Sequence, residues 1–333
     1  MVRVFAGRAW RSSAQDRWDP AAESLNPAVA AYPPPGGTCL DVRVKVYLRG
    51  VEFGISYSTP FFGADPETLL GFARDAEEFG FESFYLPEHV ALYPGAKIGE
   101  MALPPSLPFA DPLECLSFVA AGTRRILLGT GVLLLPYHHP VTLAKRLATI
   151  DVLSGGRMRL LTVGVGALPG EARAVGVDYA TRGRRADEAI DILRALWAGD
   201  ESGVSFDGDF HRFEGACVYP KPLGELPIHV GGSSVAAARR AGSRGDGYFP
   251  GGRLTAEERR RQFALARTTA LSAGRDPDRL EYTRWGSLDM SLEDVEMLAA
   301  EGVSRIVISP DDADSGRRRD SLAAFAARLS LST

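Results

Sequence analysis

The chain has 333 residues, 45% of them hydrophobic, and a formal net charge of -4. That is enough apolar material for one large core or two medium ones. It shows no basic field or zinc-finger spacing of the kind nucleic acid needs, and no apolar run near the roughly 20 residues of a membrane span.

Residues 1 to 50 stand apart. They hold Trp10, Trp18, the Pro33-Pro34-Pro35 run and Gly36-Gly37, with no sustained helical period and no secretion-signal core. A flexible N-terminal extension or an upstream start choice is expected, with Asp41 to Leu48 as a short strand. From Val51 a regular beat sets in. VEFGISY reads as a strand, and Pro66 opens a helix with a stripe of Leu69, Leu70, Phe72, Ala73, Ala76 and Phe79, which Gly80 stops. SFYLPEH is the second strand. Residues 90 to 110 form an irregular loop rich in proline and glycine, where substrate selection is expected.

Pro112 opens the next helix, to Ala121. Ile126 to Leu135 is too uniformly apolar for an edge strand, which places it in a sheet buried on both faces. A helix to Val152 follows, then a fourth strand from Met158 to Val165. Residues 167 to 180 read as a loop region. Arg184 to Trp197 is helical, and SFDGDFHRFEG, with alternating aromatics about Asp207-Gly208, reads as a β-hairpin inserted at about 204–215. Pro227 to Val230 and Asp246 to Phe249 are strands five and six, separated by a helix from Ser234 to Ala241. Thr255 and Ser291 cap two further helices, Thr255 with Glu258 in a capping box. Leu280 to Trp285 and Ser304 to Ser309 complete eight strands, and a last helix covers about Ser321 to Leu329. Eight short strands alternating with helices from 51 to 333 predict an α/β fold, a closed (β/α)₈ TIM barrel, over an open doubly wound sheet.

In such a barrel chemistry sits where strands hand over to helices. Glu88 and His89 end strand two, and a histidine there exchanges protons near neutral pH. His138 and His139 follow strand three. A metal site would need three convergent ligands, and nothing in the spacing of His89, His138 and a carboxylate demands one. Gly129-Thr130-Gly131-Val132 puts two glycines inside a core strand, the mark of a bulge or of a flat ligand's close approach. Gly231-Gly232-Ser233-Ser234 after strand five and Gly251-Gly252-Arg253 after strand six offer free N–H groups to a phosphate, and Gly164-Val165-Gly166 a further backbone wall. Phe61, Phe62, Tyr85 and Tyr93 are candidates for an apolar substrate wall, with core packing as the alternative. The three cysteines, Cys39, Cys115 and Cys217, are far apart, so neither a disulfide framework nor a metal cluster is expected, and a reducing, cytoplasmic compartment fits best.

The segments DPETLLGFARDAEEFGFESFYLPEHV, RILLGTGVLLLPYHHPVTLAKRLATIDVLSGGRMRL, YATRGRRADEAIDILRALW, VSFDGDFHRFEG and PIHVGGSSVAAARRAGSRGDGYFP together resemble the bacterial-luciferase-like superfamily, most closely its branch of probable coenzyme F420-dependent oxidoreductases. The resemblance implies a TIM-like barrel with insertions, luciferase-like in layout, and a tricyclic cofactor ring in its mouth. It implies a non-proline cis peptide at Gly131-Val132, a His89 facing the reacting edge of the ring, and a cofactor-tail phosphate at Gly231, Gly232, Ser233 and the Gly251-Gly252 turn; read from the chain itself, Thr130, His138, Gly164 and Gly166 are further cofactor-binding candidates and Glu88 a catalytic candidate beside His89. The implied chemistry is hydride transfer between the deazaflavin C5 and a small-molecule substrate. Two departures, the lack of an amide in the loop from Gly164 to Glu171 and His138 where many relatives have arginine, leave F420 against FMN open. With FMN, a monooxygenase fed by a separate reductase is implied; a non-catalytic cofactor-binding barrel is the third reading. A homodimer is the expected assembly.

Overall fold

A computed structural model describes residues 50–251 and 254–331. The extension, with its expected strand at 41–48, and Gly252 and Arg253 lie outside the described residues. Eight parallel strands close into a barrel in the order β1, β12, β11, β10, β9, β6, β5, β2. In chain order β1 is Glu52–Ser56, β2 Ser83–Leu86, β5 Leu127–Leu134 and β6 Met158–Gly164. The second half supplies β9 Ile228–Gly231, β10 Gly247–Phe249, β11 Glu281–Gly286 and β12 Arg305–Ile308. Two small antiparallel ribbons stand outside the barrel. One is a flap, β3 Lys97–Ile98 with β4 Met101–Ala102; the other is the expected hairpin, β7 Val204–Asp207 with β8 Arg212–Ala216.

The helices are α1 Thr59–Phe62, α2 Pro66–Glu78, α3 Pro112–Gly122, α4 Pro140–Leu153 and α5 Pro169–Ala174, followed by α6 Arg182–Ala198, α7 Val235–Arg244, α8 Ala256–Ser272, α9 Leu292–Ala300 and α10 Ser315–Leu329. Local chemistry sets their starts. Asp65 accepts from Thr68 N ahead of Pro66, and Asp111 from Leu113 N and Glu114 N ahead of Pro112. Thr255 with Glu258, and Ser291 with Asp294, close two capping boxes. The last helix begins six residues before the expected Ser321, because Asp314 caps it and its first turns are arginine-rich and carry no apolar signal. Residues 167–180 are not a plain loop: α5 lies within them, a correction with consequences for the site.

Most of the core lies between sheet and helices. A smaller cluster fills the barrel itself: Tyr85, Leu160, Phe249 and Val307, with Trp285 against them. Tyr85 is fully buried there, so it is core and not substrate wall. Phe62 likewise packs on Tyr57 and Phe72, with centroids at 5.1 and 5.4 Å. At the amino end of the strands Arg305 is bracketed by Glu82, at 2.9 Å, and Glu281. Cys115 and Cys217 are free thiols. No helix among the described residues is long and apolar enough to cross a membrane.

Candidate active site

The carboxyl ends of β2, β5 and β6 bring two Glu–His pairs together. Glu88, in the loop after β2, is buried; its carboxylate accepts from Leu134 N at 2.6 Å and meets His138 Nε2 at 2.9 and 3.1 Å. His89 Nδ1 lies 3.1 and 3.3 Å from the carboxylate of Glu171, which is wholly inaccessible to solvent. Glu171 also accepts from Val90 N at 2.6 Å and Ala91 N at 3.3 Å. A carboxylate only accepts, so the proton of the His89 ring sits on Nδ1 and Nε2 is the free nitrogen. By the same argument His138 carries its proton on Nε2 and presents Nδ1. The ring of Phe109 closes edge-on against His89, centroids 4.8 Å apart. His139 turns away: it is exposed at the start of α4 and packs against His211 of the hairpin, 5.6 Å off.

Glu171 was not among the sequence-derived candidates. It sits in the first turn of α5, six residues long and too short to show a hydrophobic period. The readable signal was Pro169 followed by an acidic residue, the signature of a helix start. Glycines make room for this helix. A Cβ on Gly170 would lie 2.3 Å from the ring of Tyr93. Gly166 has φ +81°, and a Cβ there would lie 2.1 Å from the Tyr137 hydroxyl oxygen. That hydroxyl is buried without a partner among the described residues, and burial, with Glu171 nearby, pushes its pKa up to about 12. It is a neutral donor with no acceptor among the described residues.

The remaining expected cradle residues fall into three groups. Gly131 and Val132 are joined by a cis peptide, and the β5–β6 register shifts between Gly131 and Leu133. Gly131 faces the barrel axis, where an added Cβ would meet Tyr85 and Trp285. Val132 explains two glycines of neighbouring strands, since a Cβ on Gly164 or Gly231 would come within 2.6 or 2.4 Å of its methyls. Thr130 is buried and donates to Thr162 O at 2.8 Å, so its side chain is turned away from the mouth. Ser233 donates to Gly251 O, which draws the turns after β9 and β10 together. Gln262 Nε2 donates to Ser233 O at 2.6 Å, and Tyr248 reaches Gly232 O at 3.0 Å. Ser234 then caps α7 through Ala237 N. The result is a rigid entry to a ten-residue helix whose positive end faces the barrel mouth. Among the described residues no three His, Cys, Asp or Glu side chains converge as metal ligands.

The family model described as luciferase-like monooxygenase matches residues 44–329. An F420-dependent glucose-6-phosphate dehydrogenase of Microbacterium testaceum is 36% identical over 203 residues, 60% of this chain and 56% of that one. The chain thus matches little more than half the length of such curated relatives. An F420-dependent secondary alcohol dehydrogenase, solved with an F420–acetone adduct, superposes with a TM-score of 0.70 at 18% identity, covering 85% of this chain and 100% of that one. A monooxygenase from Streptomyces bottropensis superposes with a TM-score of 0.64 at 23% identity, covering 84% and 98%. At such identities these superpositions show the fold.

Proposed function

Because the chain belongs to the luciferase-like monooxygenase family, we propose that it is an oxidoreductase using the deazaflavin coenzyme F420 to exchange hydride with a small organic substrate. The observation that carries this reading is His89, fixed on its Nδ1 side by buried Glu171 so that Nε2 is free. The names of curated relatives, F420-dependent glucose-6-phosphate dehydrogenases, support the choice of cofactor.

The donor set fits a flat ring with an anionic tail. Gly131 leaves the floor of the mouth free of a side chain, and the Tyr137 hydroxyl lacks a partner among the described residues. The tail phosphate would lie at the start of α7, over Gly232 and Ser233, with Gly251 beside it. When bound, the deazaflavin supplies hydride chemistry at its C5. His89 as the imidazolium, with a second proton on Nε2, would give that proton to a carbonyl oxygen as its carbon gains hydride; in the reverse direction the free Nε2 of the neutral ring would take it from a hydroxyl. Glu171 steadies the imidazolium that exists while the ring holds that proton on Nε2. Glu88 does the same for His138 and is a positioning residue.

The test is a fluorescence titration of the purified protein with F420 and, separately, FMN. Tight binding of F420 alone is expected. Preference for FMN would replace this reading with that of a flavin monooxygenase fed by a separate reductase. The observation favouring that second reading is the loop from Gly164 to Glu171, which carries no side-chain amide.

A further inference from the structure

Resting on that reading of the His89 site, we infer that the substrate is uncharged and has an apolar body, which the β3–β4 flap covers through Ile98 and Met101. Four large apolar side chains stand in solvent in the connections that follow β1 and β2: Phe61 at 48%, Val90 at 46%, Ile98 at 39% and Met101 at 58%. Val90 follows His89 directly. Ile98 and Met101 are register partners in the flap. The flap's stem is not loose: Leu103 N donates to Ala96 O at 2.9 Å, and Ala96 and Leu103 bury themselves against Leu168, three residues before Glu171. An apolar tip is therefore held on a packed cluster whose Leu168 lies three residues before Glu171, the partner of the acid–base histidine. Exposed apolar groups gathered at a site mark apolar recognition.

Charge points the same way. Two buried carboxylates, Glu88 and Glu171, lie beside the reacting position and disfavour an anionic substrate. Three nearby arginines are engaged within the protein. Arg182 donates to Tyr179 O and Gly166 O, at 2.6 and 3.2 Å. Arg185 donates to Thr181 Oγ1, and Arg317 pairs with Asp312. Lys97 and Glu100 of the flap offset one another.

The experiment uses the full chain and methyl ketones of rising length, from methyl ethyl to methyl octyl, with glucose 6-phosphate as the charged probe. Binding is read by tryptophan fluorescence with and without F420, and turnover separately by oxidation of reduced F420. Dissociation constants should fall about three- to fourfold per methylene while the chain is being covered, and glucose 6-phosphate should not compete. Ile98→Asp with Met101→Asp should weaken binding of the long ketones by about tenfold or more. The same variant should leave F420 affinity and sedimentation unchanged; Ile98→Ser with Met101→Ser should act in the same direction, less strongly. A flat series, a preference for the sugar phosphate, or a double variant that alters only the sedimentation overturns the inference. If F420 does not bind but ketones still bind in a flap-dependent way, the substrate class stands and the cofactor reading alone falls.

Discussion

Glu171, without solvent access, holds His89 Nδ1 at 3.1 Å while accepting two backbone N–H bonds from the residues that follow this histidine. One carboxylate thus sets both the loop after β2 and the tautomer of the ring. Glu171→Gln keeps the volume but presents a donor to Nδ1–H in one of its orientations. Turnover should fall about 10–100-fold, less than for loss of the histidine itself. F420 affinity should be retained, and the pH profile of kcat/KM should change shape; an unchanged profile would show that Glu171 only packs.

His89→Ala removes the proton carrier and leaves the cradle at α7 untouched. Steady-state assays should show a loss of about 10²–10⁴ in kcat, with the cofactor dissociation constant within a factor of about two. Equal losses in kcat and cofactor affinity would place His89 in cofactor binding instead.

Arg305→Met tests the amino end of the barrel. Its guanidinium is buried between Glu82 and Glu281, and its removal leaves two carboxylates facing one another. A loss of about 2–3 kcal/mol in urea unfolding is expected, at the lower side of the range for broken buried pairs because both carboxylates reach solvent. Cofactor affinity should hold, since the opposite end of the barrel carries the site.

His229 makes stability depend on pH. Burial holds its pKa below the usual 6.5, despite the nearby Glu281 carboxylate, so the folded chain keeps it neutral. The unfolded chain takes up a proton below about 6.5 and the folded chain does not, so stability is full above that pH and declines as pH falls. Burial would push Glu281 up, but Arg305 brings it below its ordinary value of 4.5, so its own contribution is lost only in more acidic solution. Urea midpoints should therefore drop between pH 7 and 5 with a slope of up to about 1.4 kcal/mol per pH unit. The decline should flatten in His229→Gln.

Gly166→Ala should cost about 2 kcal/mol or more, from a left-handed backbone and a collision with Tyr137. Thermal melting would measure it, and Tyr137→Phe, by removing the oxygen at 2.1 Å, should relieve part of the penalty. An additive pair of variants would assign the whole cost to the backbone.

The strand and helix beat was legible because each barrel strand is a short apolar run bounded by proline, glycine or a capping residue, as at Asp111-Pro112 and Ser291. The Glu88, His89 and His138 positions were readable as strand ends. What escaped were features with no local period: the two-residue strands of the flap, α5, and through it Glu171. Glycines were ambiguous for a different reason. Gly164 and Gly231 look alike in sequence whether a ligand's approach or, as an added Cβ at either would show, the methyls of Val132 on another strand require them. The same holds for aromatic residues: Tyr85 and Tyr93 differ in role only because one points to the barrel axis and the other packs on Gly170.

The packing of Ala96 and Leu103 on Leu168 makes two loops, far apart in the chain, a single graft. Exchanging residues 92–107 with those of a relative, while keeping 166–171, would set a foreign stem against Leu168 and tilt the short helix bearing Glu171. Specificity in this scaffold can therefore be transplanted only as a matched cassette of both loops, and natural recombination between relatives at a breakpoint between them should yield folded barrels with a mis-aimed histidine.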